Sequence, residues 1–500
     1  MTLTNFVERY SGNDTSGLSR GNLFFALLIL LTRLPFLTNG FGTDEDSWGL
    51  ALTAFNIHNT LSYEVSRFPG FPVHELVSSV FIVGGAVALN LMTAVMSSVA
   101  VLFFVCALQE MRFKFPYLAG VVFAFAPVVF IHSTDTIDYM WAMAFIMLSF
   151  WMILSGQTIV SALALSVATG CRITSLAMLM PFSVLLIDKN LSTRKNAIAI
   201  LRYCIIALMF SVVIYLPVII KYGKAFLTFY DLSGYPTISK VLYKFTLGVW
   251  GIAGSVAILF AIGSLLFSSP LSPGKFLLPK TINEKHIIAW LVAIDLTIII
   301  FIRLPYESGY LIPIVPFTIM LFGKYMREKA FIIFSALIIV SPWLIGIATA
   351  DKPDSPKPSS LASVFNFSTE KITLDLARGP LLTDLTAREA TMLFADSVLN
   401  EVENLTDTSV IICGWWSTKI LYKYAHLPES KKNNLIIISQ YLNRDELISY
   451  VQKRFNIYYL PMQDSFEKKL YGIDVKYFGA LPLLQSEEEE EEGPELQPES

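Results

Sequence analysis

Charged residues are scarce in this chain of 500 residues, where aspartate, glutamate, lysine and arginine together make up 15%. Hydrophobic residues reach 54%, and the mean hydropathy is +0.57. A soluble domain of average composition carries about 25% charged residues, so the composition predicts a protein with several membrane-spanning helices. The net charge of −3 gives no basis for nucleic-acid binding, which requires a strongly basic surface.

Cysteine is also rare, and its four positions are Cys106, Cys171, Cys204 and Cys413. The first three lie in or beside apolar runs, and none has the spacing of metal ligands. A disulfide framework is therefore not expected. No cleaved signal peptide is expected either, because the first apolar run follows a polar N-terminus and is long enough to remain as an anchor.

Apolar runs recur along residues 1–350 and approach the roughly 20 residues that a helix needs to cross the hydrocarbon of a bilayer. They predict an α-helical polytopic membrane domain with 11 transmembrane helices. Basic residues cluster in alternate loops, such as Arg112–Lys114, and the positive-inside rule assigns these loops to the cytoplasm. The loop over residues 40–90, with helices at the membrane surface, is then extracytoplasmic. The predicted spans are Leu23–Leu37, Leu89–Leu108, Tyr117–Ile131, Met140–Leu154, Val160–Thr169, Ser175–Ile187, Ala197–Ile220, Phe245–Phe267, Ile287–Ile302, Tyr310–Phe322 and Ala330–Ala350.

The chain changes character after residue 350. Residues 351–360, "DKPDSPKPSS", form a proline- and serine-rich linker. Short apolar strand patterns then alternate with helical patterns, which predicts a small α/β domain over residues 361–485 on the extracytoplasmic side. Residues 486–500 are dominated by glutamate and are expected to be a disordered tail.

The stretch "GTDEDSWGLALTAF" places Asp44, Glu45 and Asp46 at the start of an amphipathic helix near the outer membrane surface. One interpretation is helix capping, since acids in the first turn suit the free amides and the helix dipole. The other is catalysis, because a carboxylate half removed from water has a raised proton affinity and can act as a general base. An acid triplet could also hold Mg²⁺ or Mn²⁺ through Asp44 and Asp46, which is the minority interpretation.

Further charged and aromatic side chains recur on the predicted outer side. Capping, interfacial anchoring and structural pairing, such as Arg172 with Asp138, are the alternatives to a functional site. An arginine at membrane depth needs a carboxylate or another anion, and its guanidinium suits a lipid phosphate. The candidate site residues of these loops are Arg67, Glu75, Asp135, Asp138, Arg172, Arg303, Glu307 and Tyr310.

In their order along the chain, these motifs resemble the GT-C superfamily of polytopic membrane glycosyltransferases. The likeness is to the branch of protein O-mannosyltransferase-like and aminoarabinose-transferase-like enzymes. It rests on the acidic motif Asp44–Asp46, the proline-bearing "SRFPGFPVHE", Asp138 at the head of the fourth span, "TGCRITS" with Arg172, and "YLIPIVP" from Tyr310. The sequence departs from the family at Glu307, where many relatives carry a basic residue near the donor phosphate.

The resemblance implies transfer of a hexosyl or pentosyl group, with inversion, from a polyprenyl-phosphate donor to an acceptor hydroxyl at the outer face. Asp44 is the expected base, with Asp46 and Asp138 as positioning acids, although the D-E-D pattern leaves Asp46 open as the base. Arg172, with Arg67 or Arg303 and Tyr310, is expected at the phosphate. Glu45, Glu75, Asp135 and Glu307 are further site candidates. Most relatives in this branch need no metal.

The implied partners are the polyprenyl-phosphate-sugar donor, membrane lipids and an acceptor protein, lipid or glycan, without nucleic acid. The expected location is the plasma membrane of a prokaryote, with the endoplasmic reticulum as the second choice, and the C-terminal domain is expected outside. The main rival is a transporter or lipid-linked sugar flippase, which also has many spans and buried charges. Transporters tend to have internal repeats and polar sites near mid-membrane, whereas these charges cluster at one surface. A non-catalytic scaffold is the third alternative.

Overall fold

The computed structural model describes residues 18–227, 235–268, 284–349, 358–367, 370–432, 436–440, 442–460 and 476–477. The predicted acidic tail over residues 486–500 and most of the predicted linker lie outside the described residues. Up to Val340 the described chain is helical, and short turns join its helices. Its α-helices are α1 (Arg20–Leu31), α2 (Glu45–Thr60), α3 (Pro72–Phe81), α4 (Gly85–Glu110), α5 (Pro116–Phe125), α6 (Pro127–Ile131), α7 (Tyr139–Leu154), α8 (Thr158–Cys171), α9 (Leu179–Leu185), α10 (Thr193–Tyr222), α11 (Ile238–Phe245), α12 (Leu247–Ser268), α13 (Lys285–Arg303), α14 (Ile314–Tyr325) and α15 (Glu328–Val340).

Local sequence signals define where several of these helices begin. The hydroxyl of Ser19 accepts from the amide of Asn22 at the start of α1, and Ser192 accepts from Lys195 at the start of α10. Such serine caps satisfy amides that have no partner inside the helix. Proline occupies the first turn of α3, α5 and α6, where its missing N–H costs no hydrogen bond.

Four described helical segments are long and apolar enough to cross a membrane: Pro72–Glu110, Thr193–Tyr222, Leu247–Leu266 and Lys285–Arg303. The other apolar helices have 10–17 residues, among them α7 and α8. The predicted number of 11 spans is therefore not established by helix length. Several predicted spans do coincide with an apolar helix of the structure, including the short pair near Arg172.

The last predicted span, Ala330–Ala350, is too long at its C-terminal end. Helix α15 stops at Val340, and the strand β1 (Gly346–Thr349) follows. The hydroxyl of Ser341 donates to the carbonyl of Trp250, and Pro342 disfavours helical continuation at the preceding residue. The C-terminal domain, called the outer domain below after the orientation that the sequence predicts, therefore begins inside the segment that hydropathy assigned to the membrane.

The centre of the helical part lies where α4, α7 and α8 pack together. Phe104, Met147, Phe150 and Leu165 are fully buried there. Between α7 and α8 the hydroxyl of Ser161 donates to a backbone carbonyl of α7 at 2.8 Å. Small hydroxyl residues at a helix contact allow close approach and satisfy one another in an apolar medium. This core carries the outer ends of α7 and α8, where Asp138 and Arg172 lie.

The described outer domain contains two sheets. In the first, β3 (Glu370–Asp375) pairs antiparallel with β1 on one side and with β2 (Ala362–Phe367) on the other. The second is parallel, with β4 (Ser409–Ile412) between β5 (Ile436–Ser439) and β6 (Asn456–Tyr459) and with β7 (Lys476–Tyr477) beyond β6. Its helices are α16 (Pro380–Glu403), α17 (Ser417–Ala425) and α18 (Arg444–Gln452). The predicted strand patterns "SVIICGWW", "NLIIIS" and "IYYLP" coincide with β4, β5 and β6, and the predicted helix "RDELISYVQKRF" coincides with α18.

The outer domain packs directly on the helices and loops of the membrane part. Tyr422 of α17 contacts the rings of Phe41 and Trp48 edge-on, with centroids 4.9 and 6.0 Å away. Leu381 and Leu385 of α16 pack against Phe130. Both contacts lie beside the loops that carry the outer acids, so the domain borders the candidate site.

Candidate functional site

A tight turn places the acidic triplet at the start of α2. A Cβ at Gly42 would lie 2.6 Å from the hydroxyl oxygen of Ser47, so no larger residue fits. The indole of Trp48 donates to the carbonyl of Gly42 at 3.0 Å. Asp44 occupies the N-cap position, but its side chain accepts no capping hydrogen bond. Glu45 and Asp46 lie in the first turn, as the capping interpretation predicted, but the Asp44 side chain itself caps no amide.

Asp138 links two arginines that come from different loops. Its Oδ2 accepts from Arg172 Nη1 at 2.6 Å, and its Oδ1 accepts from Arg67 Nη2 at 3.0 Å. Arg67 Nε also lies 3.1 Å from Asp46 Oδ2. Asp46, Arg67, Asp138 and Arg172 thus form one continuous network, as the sequence predicted for charges that lipid cannot tolerate alone.

The electrostatic environment keeps Asp138 ionised. Its side chain is 2% exposed, and burial alone would raise the pKa of the carboxyl group. The guanidinium groups of Arg172 and Arg67 outweigh burial and hold the pKa of Asp138 below its usual range. The Asp138 side chain accepts no capping hydrogen bond from the amides of α7. Of the two alternatives, the structure therefore has ion pairing with the arginines and not helix capping.

Glu75 organises the loop that carries Arg67. Its Oε1 accepts from the amide and the hydroxyl of Ser66 at 2.7 and 2.8 Å, and its Oε2 accepts from the hydroxyl of Tyr63 at 2.6 Å and the amide of Phe71 at 3.1 Å. The carboxylate is fully buried. Four donors on one buried carboxylate fix the loop conformation, so Glu75 positions Arg67.

Arg172 lies at the polar end of a narrow, mostly apolar cavity of about 30 Å³. Its guanidinium stacks on the rings of Tyr139 and Tyr310, with centroids 4.5 and 4.6 Å away. Among the described residues, Arg172 donates only to Asp138, and the buried hydroxyl of Tyr139 has no hydrogen-bond partner. Other residues that line this cavity are Ala142, Met143, Ile146, Met178, Ile300 and Pro313. Hydrogen-bond donors of Arg172 and Tyr139 that have no partner among the described residues therefore border an apolar cavity wall.

A wider apolar groove lies along the next helices of the chain. It has a volume of about 400 Å³ and is lined by residues of α9 and α10, including Leu179, Val184 and Ile200. Met178, which lines the cavity at Arg172, directly precedes α9. The residues that follow Arg172 in the chain thus line first the narrow cavity and then this groove.

Asp44 differs from its two acidic neighbours because no described residue pairs with it. Asp46 is held by Arg67, whereas the Asp44 carboxylate, which is half-buried, makes no hydrogen bond or ion pair in the described part of the chain. Glu307 lies within electrostatic reach, and burial together with Asp44 raises the pKa of Glu307 to about 7, against the opposing effect of Lys244. Lys244 Nζ lies 3.0 Å from Glu307 Oε2.

Glu45 faces the outer domain instead of the network. The hydroxyl of Thr418 in α17 donates to its Oε1 at 3.3 Å. Burial raises the pKa of Glu45 to about 7, with a further contribution from Asp46, while Lys419 acts in the opposite direction. Glu45 therefore belongs to the contact between α2 and the outer domain.

Asp135 belongs to a second polar cluster that the sequence did not predict as a unit. Its Oδ2 accepts from His132 Nδ1 at 2.8 Å and lies 4.0 Å from Arg388 Nη2. Burial would lower the pKa of His132, but Asp135 outweighs burial and raises it. Asp384 pairs with Arg388 one helical turn away. The sequence signals were weak, because Arg388 stands in "DLTAREAT", an ordinary mixed polar and apolar helical pattern far along the chain.

Two other predicted residues have different outcomes. Tyr310 contacts Arg172 as described. Arg303 is exposed at the end of α13 and makes no hydrogen bond or ion pair with any residue that the structure describes. Of the two alternatives offered beside Arg172, the geometry thus joins Arg67 to the network and leaves Arg303 outside it.

The described residues contain no group of three or more histidine, cysteine, aspartate or glutamate side chains that could hold a metal ion. Asp46, one of the two residues considered for a metal, is already engaged by Arg67. The minority interpretation of a metal at Asp44 and Asp46 stays a prediction.

The described residues define a polytopic helical protein whose outer site combines acids, arginines and an apolar cavity. The chain is similar to two crystal structures of ArnT from Cupriavidus metallidurans, each at 12% sequence identity. The apo state covers 93% of this chain and 89% of that chain with a TM-score of 0.47. The structure bound to undecaprenyl phosphate covers 89% and 87% with a TM-score of 0.49.

No family model matches the sequence, and no curated protein matches it. At 12% identity and TM-scores of 0.47 and 0.49, the likeness to ArnT assigns no role to any residue of this chain. The chemistry of this chain has to be argued from its own side chains.

Proposed function

We propose that the protein is an integral membrane glycosyltransferase of the GT-C type. It transfers a hexosyl or pentosyl group from a polyprenyl-phosphate donor to a hydroxyl of an acceptor protein, lipid or glycan. The reaction takes place at the extracytoplasmic face of a prokaryotic plasma membrane, where the C-terminal domain also lies. One observation carries the proposal: the unused donors of Arg172 and Tyr139 meet the apolar cavity beside a network of acids.

The donor has two chemically different parts, and the site offers a partner for each. A lipid phosphate accepts hydrogen bonds from arginine and tyrosine, and its charge grows as the sugar leaves. The isoprenoid tail requires apolar walls, which the cavity at Arg172 and the groove along α9 and α10 supply. A cavity of about 30 Å³ holds little more than one water molecule, so entry of a tail requires α7 and α13 to move apart.

Asp44 is the proposed general base. In the transfer step its carboxylate takes the proton of the acceptor hydroxyl, and the acceptor oxygen forms a bond to the anomeric carbon. The bond from that carbon to the phosphate oxygen breaks, and the electron pair leaves with the polyprenyl phosphate. Attack opposite to the leaving group inverts the anomeric centre. The unpaired state of Asp44 supports this role, because its carboxylate can take a proton without breaking an ion pair among the described residues, whereas Asp46 is paired with Arg67.

Asp46 and Asp138 are the proposed positioning acids, since both orient Arg67, and Asp138 also orients Arg172. Arg172 and Arg67 stabilise the leaving phosphate, and Tyr310 supports Arg172 from its ring face. No step in this mechanism uses a metal, so incubation with EDTA is expected to leave the rate of transfer unchanged.

Binding of undecaprenyl phosphate to the purified protein in nanodiscs tests the donor assignment. Replacing Arg172 by alanine should weaken binding about 10–100-fold, the effect of losing hydrogen bonds to a charged group. In sugar transfer, Arg172→Ala should impair use of the lipid donor more than use of the acceptor. Arg194→Ala, an exposed arginine on the predicted cytoplasmic side, is the matched control and should bind like the wild type.

Two results would refute the proposal. One is equal binding by Arg172→Ala and wild type. The other is lipid translocation in vesicles by a protein that transfers no sugar, which would instead favour the flippase.

A further inference from the structure

The helix α16 of the outer domain places a buried ion pair between the two loops that carry the outer acids. Arg388 Nη2 lies 2.5 Å from Asp384 Oδ2, one helical turn earlier. The side chain of Arg388 is 1% exposed and that of Asp384 is 15% exposed. The transfer mechanism proposed above assigns no role to this pair.

Arg388 holds the loop that leads to Asp138. Its Nη1 donates to the carbonyl of Thr134 at 2.6 Å, and its Nη2 donates to the carbonyl of Ile131 at 3.2 Å. Ile131 ends α6, where carbonyl groups have no partner within the helix and a cation is favoured. The two guanidinium nitrogens of Arg388 thus fix the start of the loop that ends at Asp138.

Asp384 contacts the other loop. Its Oδ1 accepts from the hydroxyl of Thr43 at 3.5 Å, and Thr43 directly precedes Asp44. The two loops also meet directly, because the amide of Thr136 donates to the carbonyl of Phe41 at 2.7 Å. The ion pair of α16 therefore reaches both loops at the point where they approach each other.

We propose that Asp384 and Arg388 are positioning residues that set the distance between Asp44 and the network of Asp138. The outer domain then completes the transfer site of the membrane domain. This inference rests on the proposed function. A buried ion pair adds little net stability compared with apolar packing, but it can specify one geometry. Misplacement of a reacting group by about 1 Å can cost about 100-fold in rate.

Steady-state kinetics of three variants in nanodiscs test the inference. Asp384→Asn removes the charge without changing the shape, and Arg388→Lys keeps the charge but loses the fork. Both should lower kcat about 10–100-fold and leave KM for the lipid donor within about twofold, because neither residue lines the cavity at Arg172 where the donor is proposed to bind. Arg388→Met should be more impaired than Arg388→Lys. Glu389→Gln, which alters an exposed neighbour on α16, is the control and should match the wild type.

The folded fraction of each variant, measured by size-exclusion chromatography and thermal unfolding, separates positioning from simple stability. A wild-type kcat in Asp384→Asn and Arg388→Lys would overturn the inference. A loss of activity that only follows the folded fraction would also overturn it. Failure of the proposed function has a different signature, namely absence of sugar transfer by the wild type or full activity of Asp44→Asn.

Discussion

Arg172 and Asp138 form a short ion pair of 2.6 Å at the outer ends of α8 and α7. The two residues belong to different turns, and each would be costly beside lipid without the other. Arg67 shares the same carboxylate, so Asp138 pairs with two cations, and Asp46 supplies the second negative charge through Arg67. The charge balance of the site therefore depends on Asp138 more than on any other residue of the network.

Replacing Asp138 by asparagine should destabilise the protein strongly. Removal of one partner leaves Arg172 and Arg67 without their shared carboxylate, and breaking a buried pair costs about 3–5 kcal/mol. The cost should fall toward the lower end, because the side chain of Arg67 is 24% exposed. Thermal unfolding in detergent measures the effect.

The exposed pair of Lys114 and Glu328 supplies the control for Asp138→Asn. These side chains are 63% and 60% exposed, so Glu328→Gln should cost about 0–1 kcal/mol. Equal destabilisation by the two substitutions would contradict the view that Asp138 is the central anion of the site.

Replacing Asp44 by asparagine should lower sugar transfer about 10²–10⁴-fold and leave folding intact, since a general base contributes roughly that factor. The half-buried Asp44 carboxylate has no protein partner among the described residues, so its removal breaks no bond of the fold. Initial rates with saturating donor provide the measurement.

Asp445→Asn removes an exposed acid of the outer domain and should transfer at the wild-type rate. If Asp44→Asn retains full activity while Asp46→Asn is inactive, the base is Asp46 instead.

The stability of the protein should fall between about pH 4.5 and pH 7 because of Glu45. Burial raises the pKa of Glu45 from 4.5 to about 7 in the folded protein. The folded state therefore binds a proton that the unfolded chain has already lost in this range, and its free energy of unfolding decreases as pH rises.

Glu45→Gln should reduce this dependence, and thermal unfolding midpoints at pH 5 and pH 8 give the comparison. An identical shift of the midpoint in the variant and the wild type would exclude Glu45 as its source. Lys432→Gln, which alters a surface pair far from α2 in sequence, serves as the control.

A cysteine at Ser360 should react with an impermeant maleimide from outside the cell. Ser360 is exposed, and it follows the last helix of the membrane part. Cys106, Cys171 and Cys413 are buried, so they should contribute little background, and the Cys204 side chain can be removed in the parent protein. Reaction of Ser360→Cys only after permeabilisation would reverse the predicted orientation.

Much of the candidate site could be predicted from the sequence because lipid restricts where charge can lie. The acids at Asp44–Asp46 and Asp138 and the arginine at 172 stand out against long apolar runs, and their pairing was among the alternatives. The strands after residue 408 were predictable for a similar reason, since their apolar runs are short and bounded by turn residues.

The contribution of the outer domain could not be predicted in this way. Arg388 acts on carbonyl groups of Ile131 and Thr134, and backbone carbonyls carry no sequence signal. The end of the last span was predicted wrongly because the composition of residues 345–349 fits a membrane helix as well as a strand. The free state of Asp44 also depends on tertiary contacts, since its sequence position alone favours capping.

The four hydrogen bonds to Glu75 prepare the loop of Arg67 for substrate binding. The segment from Tyr63 to Phe71 is held as one preassembled unit before any ligand arrives. The conformational entropy of this segment is lost once, during folding, so substrate binding does not have to order the segment at each turnover. Arg67 therefore keeps the same orientation while the lipid donor and the acceptor bind and the carrier phosphate leaves.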